Sequence, residues 1–444
     1  MTDESGVLVT PPVSARRRLG RAWLLTTLTN GSLGLIVFAV TPWAANILGP
    51  AGRGRLTAIQ LVPQMLADLS SVGLTFAVVH FGSARRGSLR VLMRWSVRPA
   101  VYGTVAMFTL GQLLVWPIVG GGSDATLMRV YLLMCPLTAV MSISAESLRS
   151  FGDFGRWNGF VFLRGLSWPV ALFIGVVGSP SIGRIVYTHL SLTALITLAL
   201  VVVVRRRTAD AGREPVTDPP TYVRYGLLSA ASTIPRVANA KLDQVVMSFR
   251  VPDRDLGLYS AAVGWSAITL PVMRGFTGVA MPHVSEATAE EVPTRVRQVV
   301  TTALAATLAL VVIGGLMTVL VWHLRYGDSF DGAYVAALVL IPAGLLLEYN
   351  AILANVLRSL HRPGLVAVLE VVVLVVSTLT LLAILRSSTV TGPALVSLVT
   401  YATACAVYLV AIARQLGVPV LSLFDARVLT RLAGRFRPRP QRSR

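Results

Sequence analysis

Lysine is nearly missing from this chain: Lys241 is the single one among 40 basic residues, and the rest are arginine. Acidic residues are also scarce, 20 in 444, and charged residues make up only 14% of the sequence. Soluble domains carry about 25%, so this chain, 54% hydrophobic, lacks the polar groups to cover a water-facing surface. The shortage of lysine has a second consequence. A nucleotide-driven pump needs a G-x-x-x-x-G-K-[ST] phosphate cradle, and Lys241 follows Ala240, so the motif is absent. Cysteine is limited to Cys135 and Cys405, both within apolar stretches and without metal-ligand spacing, which predicts buried free thiols rather than a disulfide framework or a metal centre. Long polar segments are missing too, which leaves no room for a nucleotide-binding domain or an extracytoplasmic catalytic domain. No cofactor is expected.

Long apolar runs are abundant. They recur at about 20 residues, the length that spans hydrocarbon as helix: 22–46, 55–80, 97–119, 126–148, 157–178 and 183–204, then 222–248, 256–282, 297–322, 333–357, 364–385 and 391–414. Interior prolines such as Pro63, Pro136, Pro169, Pro235, Pro271 and Pro342 suit kinked membrane helices, whose neighbours satisfy the freed backbone groups. The expected fold is all-α and polytopic, with about twelve transmembrane helices in two pseudo-symmetric six-helix lobes.

A net charge of +20 would suggest nucleic acid in a soluble protein. Here the arginines collect in alternate loops, 28 on the side that holds both termini and eight on the other. That asymmetry is the positive-inside pattern. It predicts a plasma-membrane protein with cytoplasmic termini and no nucleic-acid partner. Residues 1–21 read as a cytoplasmic tail, since the following apolar run is too long for a cleaved signal peptide. Residues 22–204 form the expected N-lobe, 205–221 a cytoplasmic linker, 222–414 the C-lobe, and 415–444 a basic tail suited to anionic membrane lipids. Traces of a parallel repeat survive at an offset of 203 residues: Arg21, Leu24 and Leu25 match Arg224, Leu227 and Leu228. Gly54 and Ala58 match Gly257 and Ala261, and His80 and Ala84 match His283 and Ala287.

Ionisable groups inside a span cost roughly 2.5–3.5 kcal/mol at its centre, so they line cavities or pair. Arg236, Lys241 and Asp243 fall in span seven, Arg274 in span eight, Arg164 in span five, Asp68 in mid-span two beside Pro63 and Gln64, and Glu348 and Glu370 in spans ten and eleven. Arg236, Lys241 and Arg274 form the expected cationic cavity, holding an anionic head group by charge-assisted hydrogen bonds. Snorkelling to the interface is the competing reading for Lys241, Asp243 and Arg164. Asp68 reads as a cavity residue or a proton site. Asp253-Arg254-Asp255 matches the D-x-D metal pattern of glycosyltransferases but sits in a short turn, and no catalytic residue is assigned. His323 and His361 read as interfacial.

The order of short motifs carries a family resemblance. LGPAGRGRLTAIQLVPQMLADLSSVGLTFAVVHFG, Leu48 to Gly82, resembles the second-span signature of Wzx-type lipid-linked oligosaccharide flippases. KLDQVVMSFRVPDRDLGLYSAAVGW, Lys241 to Trp265, resembles the family's leucine-aspartate span end and G-x-Y-S-x-A helix start. MPHVSEA, Met281 to Ala287, and LRSLHRPGL, from Leu357, resemble the close of span eight and the basic loop after span ten. The resemblance implies membership of the multidrug/oligosaccharidyl-lipid/polysaccharide exporter superfamily, with two lobes forming a V around a cavity and working by alternating access. It implies a transporter, not an enzyme, that flips an undecaprenyl-pyrophosphate-linked oligosaccharide to the outer leaflet and works beside glycan-assembly proteins. A cation-coupled drug or metabolite antiporter of the same superfamily and a peptidoglycan-precursor flippase are the alternatives.

Overall fold

The structure, a computed structural model, describes residues 13–84, 88–208, 217–270, 290–386 and 390–425, together with residues 272, 273, 276, 284, 288 and 388; the side chains of residues 13–28, 30, 84, 231–233 and 236 lie outside that description. Among the described residues there are helices and turns and no strand. The chain runs through α1 (Val13–Leu69), α2 (Leu74–Ala84), α3 (Leu89–Val119), α4 (Ser123–Tyr131), α5 (Met134–Ser150), α6 (Phe154–Val176) and α7 (Ile182–Arg207). It continues through α8 (Pro219–Asn239), α9 (Leu242–Ser248), α10 (Asp253–Ser266), α11 (Val292–Tyr326), α12 (Tyr334–Ser359), α13 (Pro363–Ile384) and α14 (Thr391–Leu416).

Nine helical stretches among the described residues are long and apolar enough to cross a membrane. One of them, Gly31–Ser83, is 53 residues long and contains parts of two predicted spans. They part at Gly49, whose left-handed φ of 66° an L side chain rarely adopts, followed by Pro50 at the first position of the next helix. Span seven is not among the nine. It is split into α8 and α9, and its Arg224, Lys241 and Asp243 dilute its hydropathy. Span eight, opened by α10, runs on into residues outside the description. Within the described residues the helices follow the predicted runs in order, and the fold is an all-α multi-pass one.

Packing has the polarity of a membrane protein. Leu324, Tyr102, Leu35 and Val312 are exposed, while Thr193, Thr197, Thr307 and Thr318 are buried. Lipid rewards apolar exterior groups, and internal hydroxyls then need local partners. Thr197, Thr307 and Thr318 donate to the carbonyl four residues earlier at 2.7–2.8 Å. Both cysteines are free and buried.

The described residues pack as two compact units. The first comprises Met1–Val40, Leu66–Gln112 and Arg129–Ala230; the second Thr41–Met65, Leu113–Met128 and Ala231–Arg444. In the first, Leu74, Ala77, Val78, Leu92, Ile143 and Tyr222 form one core cluster. In the second, Trp265, Trp322, Tyr326 and Phe330 stack edge and face, and the Trp265 indole donates to Thr318 at 2.8 Å.

The repeat pair Gly54 and Gly257 meets within the second unit. A Cβ on Gly54 would collide with the Asp253 carbonyl, and one on Gly257 with the Pro50 carbonyl. Each obstacle lies four residues before the other glycine, so the contact is reciprocal: two helix starts cross backbone against backbone. Nearby, Arg55 holds Asp124 by two hydrogen bonds of 2.9 and 2.8 Å. Burial raises the Asp253 carboxyl, partly offset by Arg55. Asp253 and Asp255 open α10, where carboxylates complement the helix dipole, and no cluster of three or more metal-ligating side chains occurs among the described residues.

Candidate functional site

Span two is broken in its middle. Between Leu69 and Leu74 the backbone leaves the helix, with Val72 at φ 50° and Gly73 at φ 70°. Gly73 lets the Gly226 carbonyl approach where a Cβ would collide. Val72 is β-branched in the left-handed region, a strain of about 1–3 kcal/mol that a neighbourhood must over-determine. Ser70 helps to do so by donating to the Cys135 carbonyl at 2.9 Å. Replacing Val72 by glycine is expected to leave the fold intact and to raise the thermal midpoint by a few degrees, measured on purified protein.

Asp68 precedes this break and pairs with Arg164 of α6 at 3.6 Å, both side chains being partly exposed. Arg164 also lines a cavity of about 490 Å³ inside the first unit, together with His80, Glu146, Arg149, Trp157 and Tyr225. Arg149 pairs with Glu146, 3.2 Å away, and lies over the Trp157 ring at 5.7 Å. His80 stacks on Tyr225 with centroids 4.6 Å apart. The cavity therefore offers guanidinium forks, which suit phosphate oxygens, beside flat aromatic faces that suit apolar or sugar surfaces. His189, a hydrogen-bond partner of Tyr131 at 2.6 Å, is buried in the same unit.

The second unit holds a polar network of another kind. The Asp243 carboxylate accepts from Tyr259 and the Gln244 amide, with the Ser397 hydroxyl at 3.5 Å. Glu370 accepts from Tyr408 at 3.1 Å and from Asn239 at 3.3 Å. Tyr401 donates to the Asn239 carbonyl at 2.9 Å and accepts at its own carbonyl from Asn350 at 2.9 Å. Two buried carboxylates are thus wired to α8, α9, α10, α13 and α14 through hydroxyls and amides. Asn239 ends α8 and Lys241 caps α9, so the network sits at the break of span seven. Such a donor set can hold a proton or a small monovalent cation.

The predicted site residues are therefore divided. Asp68 and Arg164 meet in the first unit, while Lys241, Asp243 and buried Glu348 belong to the second. The Arg236 side chain and Arg274 lie outside the described residues. Sequence reasoning passed over His80, Arg149, Trp157 and Tyr225 as site residues. They stand near helix ends, where arginine and aromatics already have a topological explanation. Glu370 was visible as an intramembrane acid, but only the fold shows that it shares Asn239 with the Asp243 region.

No protein-family model and no curated protein matches the sequence. Solved structures do match in three dimensions. The chain resembles an inward-facing multidrug resistance MATE family transporter of the MOP superfamily, with a TM-score of 0.62, 16% identity and coverage of 88% of this chain and 95% of the other. It also resembles the lipid II flippase MurJ in an inward closed conformation (0.65, 10% identity, 90% and 89% covered) and the MATE multidrug transporter DinF-BH (0.64, 12%, 93% and 98%). The chain has the fold of MOP-superfamily transporters. Both MATE and MurJ structures share it at similar TM-scores, so the comparison gives the fold alone and does not single out the Wzx-type family.

Proposed function

We propose that this protein is a non-enzymatic flippase that carries an anionic, sugar-bearing lipid, of the undecaprenyl-pyrophosphate-linked oligosaccharide class, from the inner to the outer leaflet of a bacterial plasma membrane by alternating access. The observation that carries this reading is the Arg149–Arg164 cavity, which puts two guanidinium groups beside Trp157 and Tyr225 in one chamber. Arginine forks bind phosphate oxygens, and aromatic faces bind the apolar faces of sugar rings. The lipid II flippase among its structural neighbours handles a lipid-borne substrate on the same architecture. Outward movement of a negative head group down an inside-negative potential gains about 2.3 kcal/mol per charge per 100 mV, so no second driving force is required.

The test is reconstitution of the full chain in vesicles with a fluorescent lipid-linked oligosaccharide. Outer-leaflet appearance should accelerate when an inside-negative potential is imposed. Trp157→Ala is expected to slow it two- to fivefold, which corresponds to a cation–π contact of about 0.5–1 kcal/mol, with Trp157→Phe near the parent rate. Failure of the parent protein to flip any lipid-linked sugar at any potential would overturn the proposal.

A cation-coupled antiporter of the same superfamily is the second reading, favoured by the Asp243–Glu370 network. Under that reading an Asp243→Asn, Glu370→Gln variant moves substrate at a rate independent of an imposed proton or sodium gradient, while the parent responds to one. A gradient response unchanged in the double variant rules out these carboxylates as the coupling site.

A further inference from the structure

The last two described helices carry a groove that neither reading uses to hold substrate or ion, although its wall includes Tyr408, the donor to Glu370. Between α13 and α14, a slot of about 200 Å³ is lined mainly by apolar surface, among it Val372, Val376, Val396 and Val399, with three threonines and Tyr408 completing the wall. Over Leu369 to Thr380 it extends about 16 Å, from 1.5 Å per helical residue. One end of this slot runs into a wider hollow of about 640 Å³. The two share Leu369 and Val407, and the hollow adds His361, Arg362, Gly364, Arg414 and Gln415.

The hollow is built for an anion. The chain turns sharply after α12, with His361 in the left-handed region at φ 61°, which puts Arg362 at the N-cap of α13 and Pro363 at its first position. The Nε of Arg362 donates to Gln415 at 3.0 Å. That bond orients the guanidinium, whose terminal nitrogens have no partner among the described residues. The first-turn amides of α13, Gly364 included, have no intrahelical acceptor, and a helix N-terminus favours negative charge. Arg414 faces the same hollow from the end of α14. The carbonyls there are occupied, since Gly417 and Val418 donate to Arg414 and Ala413 at 3.3 and 3.0 Å. A basic recess that continues directly into an apolar slot matches one ligand chemistry: a phosphate ester attached to a hydrocarbon chain.

We propose that this groove and hollow bind one anionic phospholipid of the bilayer, its phosphate at Arg362 and Arg414 and one acyl chain along α13 and α14. A slot of about 16 Å is the length of a single acyl chain and far short of an extended polyprenyl tail. This argues for a resident membrane lipid rather than the transported one. The site belongs wholly to the second unit and stands whether or not the Arg164 cavity carries the substrate.

The test is lipid retention by the purified full chain in detergent, counted by native mass spectrometry after washing at about 0.5 M salt, where loose surface attraction is screened. The parent is expected to keep one phosphatidylglycerol and to discriminate against phosphatidylethanolamine. Arg362→Ala, Arg414→Ala should lower the retained fraction about tenfold or more, and the two-lysine variant should keep most of it. Val376→Trp, Val399→Trp should lose it with the arginines intact. Inorganic phosphate should not displace the lipid. Equal retention by the double-alanine variant, equal retention of both lipids, or displacement by inorganic phosphate would each overturn the proposal; the last would mark a free-phosphate site. A monodisperse gel-filtration peak for the double-alanine and double-tryptophan variants separates loss of binding from loss of folding.

Discussion

Leucine at Gly54 is expected to abolish accumulation of folded protein. The obstacle a side chain meets there is the Asp253 carbonyl, and at Gly257 it is the Pro50 carbonyl. Overpacking against flexible side chains costs about 1–3 kcal/mol because neighbours rotate away. A backbone carbonyl inside a helix start has no rotamer to change, so the two helices must separate and the penalty exceeds that range. Gly54→Leu and Gly257→Leu should each leave little monodisperse protein after extraction, and alanine at either position should lower the thermal midpoint measurably. Gly264→Ala, on the same α10 with nothing within 4 Å of its Cβ, is the control and should behave as the parent. The double leucine variant should cost less than the sum, since both changes part the same crossing. A Gly54→Leu protein with parental yield and melting would show that the crossing is not as close as described.

Under the proposed function, Arg164→Ala is expected to cut flipping of an anionic lipid-linked oligosaccharide by about 10- to 100-fold, the loss of one charge-assisted hydrogen bond of about 1.5–3 kcal/mol. Because Arg164 also pairs with Asp68, a loss of rate alone does not separate a ligand contact from a structural brace. The exchange variant Asp68→Arg, Arg164→Asp restores the pair in reverse. A brace predicts recovered transport, whereas phosphate contact by Arg164 within the cavity predicts none. Asp68→Asn, which frees the guanidinium for ligand, should retain transport and strengthen substrate binding. Transport restored by the exchange would remove Arg164 from the substrate site.

The span layout was legible because hydrocarbon thickness writes itself into apolar run length, and α3, α6, α7 and α11 to α14 follow those runs closely, while span four is divided between α4 and α5. Span seven shows where that signal weakens: its polar side is covered by α13 and α14, so tertiary partners take the place of hydropathy. The breaks at 70–73 and after Asn239 were not legible. No glycine-proline punctuation marks the second, and Val72 contradicts its own φ preference at the first. The repeat of Gly54 with Gly257 was visible as matched letters, but only packing shows the two positions touching. The Asp68–Arg164 pair was legible as two separate costly charges. Their union, and the aromatic cavity beside it, depended on helix rotation that sequence periodicity in uniformly apolar spans leaves unspecified.

The wiring of Asn239 and Asp243 also governs how the protein is made. Asp243 has Gln244 and Tyr259 close by in sequence, but the partners of Asn239 lie far downstream: Glu370 is 131 residues after it and Tyr401 is 162 residues after it. At about 5–20 residues per second, span seven leaves the ribosome on the order of ten seconds before the groups that pair with Asn239 exist. During that interval the Asn239 amide lacks those partners and must linger at the insertion machinery, at the interface or against provisional neighbours. Chains ending before α13 should consequently stall with span seven uninserted and be degraded, which makes the last two helices a quality checkpoint for the whole second unit.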